Sequence, residues 1–539
     1  MQRQMDPDAA TDRKIDFTPY LLVLLAVMIL GLPTLALPLG RDHGIGLYIA
    51  DVMLQGGAPY RDAWEIRPPG IFYVYGAYIA AFGKTTITLR LGDLLLQTLT
   101  ALALCRLGLK TYGRAAGIGA GAFYAACYFM GNDFWHMGNT DGAVALPAVL
   151  ALAALLPHRR GPRLAWDAAS GLLIAVAFLV RFTQGLVYVP ALALIFAAGA
   201  RQRPYGLKSR IVRTIATAAG FGLGLGLFVG HMAYKGAWGD FYYTLFVFAP
   251  QYASLTYEGR VAEFLGFALA LHARFFLDFA LVTVPALLAG LWILFKSRTA
   301  YGLVALLWLL GAVAGTDIMA KFYGYHWLPI FAPLSFLAGV FLQQVARFRR
   351  EGRTGWAAAG GVAAVACAVA FCVHFGARQA GRVSDAVKLA GGSMAWEEHL
   401  GQFDSLDRGG DFSATANYAA AEYLRSHTGH DDKVFIWGFE TLIYFLSDRQ
   451  APTRFCSNYP ISAVWHRQDW YEELVSTLQS SRPMYILLVT EDEMPWITRH
   501  GMDSLTALKR EFPELRDFVL EQYEVETTIE NIHMCRRKQ

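Results

Sequence analysis

Residues 41–44 read Arg41-Asp42-His43-Gly44, and residues 58–70 read Ala58-Pro59-Tyr60-Arg61-Asp62-Ala63-Trp64-Glu65-Ile66-Arg67-Pro68-Pro69-Gly70. The segment follows the first apolar stretch of the chain and interrupts a region, residues 1–376, made almost wholly of such stretches. Carboxylates at a membrane surface are costly unless solvated, paired or used. Here Asp42, Asp51, Asp62 and Glu65 gather beside Tyr, Trp and a rigid Pro-Pro pair. That mixture reads as a reaction site at the mouth of a membrane cavity.

Working outward, the composition agrees with a polytopic membrane protein. The 539 residues are 55% hydrophobic and 17% charged, against about 25% charged in ordinary soluble chains. Apolar stretches fall at 20–39, 88–105, 115–131, 141–157, 166–180, 184–200, 212–233, 275–295, 301–316, 326–346 and 356–376, about eleven crossings. The stretch 70–83 is short, follows Pro68-Pro69, and reads as a juxtamembrane or re-entrant helix. The first stretch is long and reads as a retained anchor rather than a cleaved leader.

Charge sets the register. Alternate loops carry Arg106/Lys110/Arg114, Arg159/Arg160/Arg163, Arg201/Arg203/Lys208/Arg210/Arg213, Lys296/Arg298 and Arg347/Arg349/Arg350/Arg353, whereas the opposite short loops hold only Arg181 and Lys321. The positive-inside bias then places the N-terminus in the cytoplasm. The segment 41–87 with its juxtamembrane helices, the loop 131–140, the loop 234–274 and the tail 377–539 lie outside. The net charge of +4 sits in these loops and gives no reason to expect nucleic acid.

The tail has an ordinary soluble composition. Helices are expected at 417–427, 441–446 and 465–479 and buried strands at 433–438 and 484–489, which makes a small α/β domain with a parallel core. Cys456 and Cys535 are the two tail cysteines, and a disulfide between them stays open. No CxxC or HExxH motif occurs.

Asp42 directly after the first span is a candidate general base for an acceptor hydroxyl, with a solvated cap beside Arg41 as the bland reading. Asp62 and Glu65 sit where pairing with Arg61 or Arg67 would make them scaffold. Asp141 opens a span where an N-terminal cap would also be Asp, and Asp133 and His136 share its loop. Arg181 and Lys321 run against the topology preference and want anionic partners. Lys321 lies in Ala320-Lys321-Phe322-Tyr323-Gly324-Tyr325-His326-Trp327, where fixed charge beside an aromatic wall suits a lipid-borne phosphate. His272 and Arg274 are placed to add to it.

These motifs resemble the bacterial GT-C glycosyltransferases, closest to the family 39-like set related to protein O-mannosyltransferases and lipid A aminoarabinose transferases. The resemblance rests on Gly57-Ala58-Pro59-Tyr60-Arg61-Asp62-Ala63-Trp64-Glu65-Ile66-Arg67-Pro68-Pro69-Gly70 behind Asp42, on Phe82-Gly83 with Leu89-Arg90-Leu91, and on Tyr112-Gly113-Arg114-Ala115-Ala116. It continues in Lys321–Pro329, in Asp432–Gly438 and in Ile443–Arg449. It implies a hexosyl- or pentosyltransferase in a bacterial inner membrane. The donor would be a sugar on polyprenyl phosphate, and the acceptor a glycan, glycolipid or protein. Asp42 would be the base, with Asp141 at the second-loop acidic position, where the local sequence also leaves Asp133 open, and Glu65 as a further candidate. Arg181, Lys321, His326 and Arg274 would hold the carrier phosphate. His43 stands where many relatives have a second acid, so a divalent cation is left open as a cofactor with its site unknown.

The rival reading, a transporter or flippase, requires ionisable residues at span centres. Only Asp93 and Gln97 depart from clean centres. Two more rivals are a partner-binding assembly protein with degenerate loops and a ligase that moves a whole oligosaccharide.

Overall fold

A computed structural model describes residues 16–156, 163–197, 206–254 and 260–539. Arg159, Arg160, Arg201, Arg203 and the polar N-terminal residues 1–15 lie outside the described residues. Among the described residues, seven helices are long and apolar enough to cross a membrane: Thr18–Ala36, Thr88–Thr111, Leu207–Tyr234, Ala280–Ser297, Ala300–Met319, Gly324–Arg350 and Thr354–Ala390. The protein is a multi-pass membrane protein. Gly70–Phe82, Thr140–Ala154, Leu164–Val180 and Phe182–Ala197 are apolar but shorter, and Arg114–Gly131 packs among them.

Two expected spans do not run as continuous α-helices. The stretch expected at 141–157 opens as a 3-10 turn, Thr140–Ala143, before helix Ala145–Ala154. The stretch expected at 184–200 opens as 3-10 helix Phe182–Val187 before helix Tyr188–Ala197. Pro147 and Pro190 are each the third residue of the α-helical part. A proline ring clashes with the carbonyl four residues back and lacks an N–H, so the α-helix cannot extend upstream and a tighter turn replaces it. The loop expected at 234–274 is also largely helical, with Trp238–Tyr242, Ala249–Ser254 and Val261–Asp278.

Asp93 and Gln97 belong to a closed hydrogen-bond network inside the helix bundle. Tyr128 Oη and Gln97 Nε2 donate to Asp93 Oδ1 at 2.7 and 2.8 Å, and Tyr124 Oη donates to Gln97 Oε1 at 2.6 Å. Gly138 N–H donates to Tyr128 Oη at 3.0 Å. One turn away, the buried Arg90 donates to the carbonyls of Leu37, Pro38, Phe134 and Met137. Buried polar groups are tolerable when so satisfied. The bonds pin the loop 132–139 to the end of the first span, beneath Asp42.

The last membrane helix, Thr354–Ala390, continues past residue 376 into the tail. There β1 (Val434–Trp437), β2 (Tyr485–Val489), β3 (Tyr523–Ile529) and β4 (Ile532–Arg537) form one sheet in the order β1-β2-β4-β3. Only β1 and β2 pair in parallel; β4 runs antiparallel to β2 and β3. The two expected strands form the parallel pair β1–β2, and β4 and β3, not among the expected strands, extend it into a mixed sheet. Helices Ala414–His427, Leu442–Ser447 and Gln468–Ser481 fall where expected. Cys456 and Cys535 are both free and buried, so the disulfide is not formed.

The tail does not hang free: it is docked on helix Arg41–Leu54, which carries Asp42. Gly44 lies against the backbone of Leu442 so closely that any Cβ there would overlap it. Tyr48 stacks on Tyr444 with centroids 4.9 Å apart, and the Ala451 N–H donates to its hydroxyl at 3.0 Å. Arg41 is buried between the rings of Phe412 and Phe439. It pairs with Glu440 at 2.6 Å and Asp411 at 2.9 Å. Burial works against its charge, but the two carboxylates prevail and raise its pKa. Removing one partner of a buried pair strands the other. Arg41→Leu is therefore expected to cost about 3–5 kcal/mol, read as a lowered thermal midpoint of the purified protein. Arg41→Leu with Glu440→Leu is expected to regain most of it.

Candidate active site

The segment 58–70 is folded by its own side chains. Pro59 leads into a turn in which Tyr60 takes a left-handed φ of 70° and its N–H donates to the Ala63 carbonyl at 2.7 Å. Asp62 accepts the Ala58 N–H at 2.7 Å and pairs with Arg61 at 2.5 Å, the scaffold role expected for it. Trp64 is buried among Phe248, Tyr459 and Trp470. After Pro68-Pro69 the chain enters helix Gly70–Phe82. Gly70 lies against the backbone of Leu179 and Val180, where a Cβ would not fit. That close approach brings the segment next to Arg181.

Arg67 turns back onto the start of the Asp42 helix. Its Nη2 lies 2.7 Å from Asp42 Oδ1, and its Nη1 donates to the Asp42 backbone carbonyl at 3.0 Å. Asn139 Nδ2 approaches Asp42 Oδ2 at 3.4 Å. Glu65 is buried behind this pair; burial raises its carboxyl pKa, with Arg67 opposing the rise and the Asp42 charge adding to it. Its side chain forms no ion pair within 4 Å among the described residues, so Arg67 serves Asp42 rather than Glu65.

Asn139 also caps the next turn, accepting the Thr140 N–H at 2.7 Å. One residue on, Asp141 is buried against Arg181 as an ion pair. The anionic partner that Arg181 demands is thus Asp141. Nε and Nη2 of Arg181 remain buried with no partner among the described residues. Arg67, Asp42, Asn139, Asp141 and Arg181 make one contiguous polar row. Tyr325 lies within electrostatic reach of Asp42, Arg67 and Arg181.

Lys321 approaches from the other side. It sits between Ala320 (φ 56°) and Phe322 (φ 49°), two left-handed non-glycine residues that cost of order 1–3 kcal/mol each. Its ammonium lies 3.9 Å from the centroid of Tyr252. Tyr252 shares a 2.8 Å hydrogen bond with Tyr323, and the Tyr323 ring packs on His326. His326 is buried, its Nδ1 has no partner among the described residues, and the charges of Arg181 and Lys321 both reach it.

The structure therefore links Asp42, Asp141, Arg181, Lys321 and His326 through ion pairs and charge reach, with Tyr325 between Asp42 and Arg181, and buries Glu65 beside Arg67 and Asp42. It does not bring in Arg274, whose side chain is 78% exposed and paired with Asp278. His272 faces inward instead, against Trp327 at 4.9 Å. Two residues apart on a helix point to nearly opposite faces, so His272 and Arg274 cannot both join the site. Asp133 is no substitute for Asp141, because its Oδ1 accepts the Trp135 and His136 N–H groups. Arg67 as the partner of Asp42, together with Asn139, Tyr252 and Tyr325, are the members that spacing along the chain does not reveal.

A divalent cation finds no ready chelate in these residues. Asp42 and Asp141 each face an arginine, and His43 accepts the Gly40 N–H on Nδ1 at 3.0 Å. Burial, together with the charges of Arg90 and Arg67, lowers the His43 pKa well below its ordinary value. Among the described residues no group of three or more His, Cys, Asp and Glu side chains could hold a metal ion.

A family model described as dolichyl-phosphate-mannose-protein mannosyltransferase matches residues 66–233, beginning within the segment that carries Arg67. The crystal structure of ArnT from Cupriavidus metallidurans bound to undecaprenyl phosphate is similar in fold, with a TM-score of 0.56 at 14% identity, covering 96% of this chain and 97% of that one. The apo form of the same protein is similar at a TM-score of 0.55 and 14% identity, with the same coverage. No curated protein sequence matches this chain. The chain has an ArnT-like fold.

Burial pushes the Lys321 ammonium down to about 8, from an ordinary value near 10.4. In the free protein, reductively methylated Lys321 observed by ¹³C NMR, assigned by its loss in Lys321→Arg, is expected to titrate with a midpoint near 8.

Proposed function

We propose that this protein transfers a sugar from a polyprenyl-phosphate carrier to an acceptor hydroxyl, at the membrane face on which the tail is docked. The observation that carries the proposal is the convergence of Asp42, from the start of its helix, with Arg67, Arg181 and Lys321, from three other parts of the chain. A carboxylate beside a row of cations, at a membrane edge, is what a transfer from a lipid phosphate requires. The similar fold of a protein crystallised with undecaprenyl phosphate supports the choice of carrier.

The chemistry follows from the positions. The acceptor hydroxyl gives its proton to Asp42 as its oxygen attacks the anomeric carbon. The bond from that carbon to the carrier phosphate oxygen breaks, and the phosphate leaves with the electron pair. Negative charge grows on the phosphate in the transition state, where fixed cations stabilise it most. Arg181 offers two buried nitrogens without partners among the described residues, and Lys321 offers an ammonium held over the Tyr252 ring. Arg67 supplies the counter-charge that makes the Asp42 carboxylate tolerable at this depth. Tyr252, Tyr323 and Tyr325 form an aromatic wall suited to a sugar ring.

In this reading the membrane is the bacterial inner membrane, with the N-terminus cytoplasmic and the tail periplasmic. The acceptor is a glycan, glycolipid or protein. A transporter has less support, because Asp93 and Arg90, two ionisable groups inside the bundle, are saturated by structural hydrogen bonds.

Purified protein in nanodiscs, given a panel of polyprenyl-phosphate sugars and membrane-extract acceptors, tests this by mass spectrometry of the lipid products. Wild type is expected to release polyprenyl phosphate, and Asp42→Asn to lose about 10²–10⁴-fold in turnover while still binding donor. No turnover by folded wild type across the panel would return the transporter reading. Donor affinity should also fall as pH rises through about 8, because the phosphate prefers the charged ammonium. Lys321→Arg, charged throughout, should flatten that profile.

A further inference from the structure

A second cavity, of about 450 Å³, opens between the end of the first span, the loop 133–135, the last membrane helix and the first turns of the tail. Arg378, Arg382 and Arg408 all line it. None of the three has a carboxylate within ion-pair distance among the described residues. Arg382, buried, gives its Nη groups to the carbonyls of Phe129 and Asn132. Arg408 bonds the carbonyls of Gln402 and Asp404. Carbonyls satisfy donors but do not neutralise charge, and the two carboxylates of the lining, Asp133 and Asp385, offset three guanidinium groups only in part, so the cavity keeps an excess of positive charge. An anion is the partner that this arrangement lacks.

The cavity also holds groups that an anion alone would not satisfy. His399 is buried, and its Nε2 lies 2.9 Å from the Ala36 carbonyl oxygen. A carbonyl only accepts, so Nε2 carries the proton and a neutral ring leaves Nδ1 as an acceptor. That Nδ1 has no partner among the described residues. Asp385, on the same helix as Arg378 and Arg382, likewise has no ion-pair partner among them, while Asp133 is occupied by backbone N–H groups and by His136 at 3.3 Å. The ligand that fits carries a negative phosphate and, next to it, a hydroxyl or ammonium donor.

Depth identifies the source. Residues 354–377 of the last membrane helix contain no Arg, Lys, Asp or Glu, and at ~1.5 Å per residue they span roughly 36 Å, enough for the hydrocarbon core and its margin. Arg378, Arg382 and Asp385 follow at once, at the level of lipid headgroups. Apolar Leu37, Phe134 and Phe403 lie beside them, where glycerol and the upper acyl chain would sit.

We infer that this cavity binds the phosphate-bearing headgroup of a membrane phospholipid, with the phosphate on the arginines and an amine or hydroxyl on Asp385 and His399. Its inner wall is the loop whose other end holds Asn139 against Asp42, so the lipid sits one loop away from the candidate active site. The inference does not depend on the transfer reaction.

Native mass spectrometry of the delipidated full-length protein tests it, with phosphatidylethanolamine, diacylglycerol and inorganic phosphate as probes. Two variants probe the cavity without touching buried groups: Arg378→Gln with Arg408→Gln, and Gly381→Leu. A Cβ at Gly381 meets nothing within 4 Å, so leucine fills space without breaking the helix. Retention of phosphatidylethanolamine is expected to fall about tenfold or more in both, with the fold unchanged by circular dichroism. Equal retention in both variants, or equal retention of diacylglycerol by wild type, overturns the site. Inorganic phosphate that binds while the phospholipid does not would leave a phosphate site but overturn the lipid as its occupant.

Discussion

The ion pair between Arg67 and Asp42 is the constraint on which the rest of the site depends. Both side chains are largely withdrawn from water, at 17% and 20% exposure, and a half-buried carboxylate without a counter-charge would be costly. To bring Arg67 to Asp42, the chain between them must fold back on itself. The Tyr60–Ala63 turn, the Asp62 cap and Pro68-Pro69 accomplish this, each by local backbone chemistry. The same fold-back sets Gly70 against Val180, and so sets the distance from the Asp42 helix to Arg181.

The tail completes this scaffold. Helix Arg41–Leu54 is pressed between the bundle and the tail, with Arg41 clamped by Glu440 and Asp411 immediately before Asp42. Trp64 donates its backbone N–H to the Arg454 carbonyl at 2.9 Å and buries its ring among tail aromatics. The membrane bundle contributes the other half: Arg90 ties the loop 132–139 to the end of the first span, and that loop offers Asn139 to Asp42. The carboxylate is therefore held from three directions by groups distant in sequence.

Much of this is legible in the chain before folding, and the reasons are physical. Asp42, Arg181 and Lys321 stand out because a charge at the end of an apolar span is improbable without a use. Asp141 stands out for the same reason, although its pairing with Arg181 crosses two helices and leaves no trace in spacing. Arg67 is harder to place, since Asp62 and Glu65 are nearer in sequence and only the three-dimensional turn gives it to Asp42. Arg274 misleads because charge near a motif says nothing of helix face. Pro147 and Pro190 announce the broken starts of two spans, but an apolar count overlooks them. Strands β3 and β4 escape notice because Glu524, Glu526 and Arg536 dilute their apolar signal.

The central claim is that a lipid-borne phosphate sits between Arg181 and Lys321 with Asp42 facing the sugar it carries. A cryo-electron microscopy structure of the full chain in nanodiscs with undecaprenyl phosphate tests it most directly. The account requires phosphate density about 3 Å from the free Arg181 nitrogens and from Lys321 Nζ. Phosphate density elsewhere, with both cations left as they stand now, would contradict it.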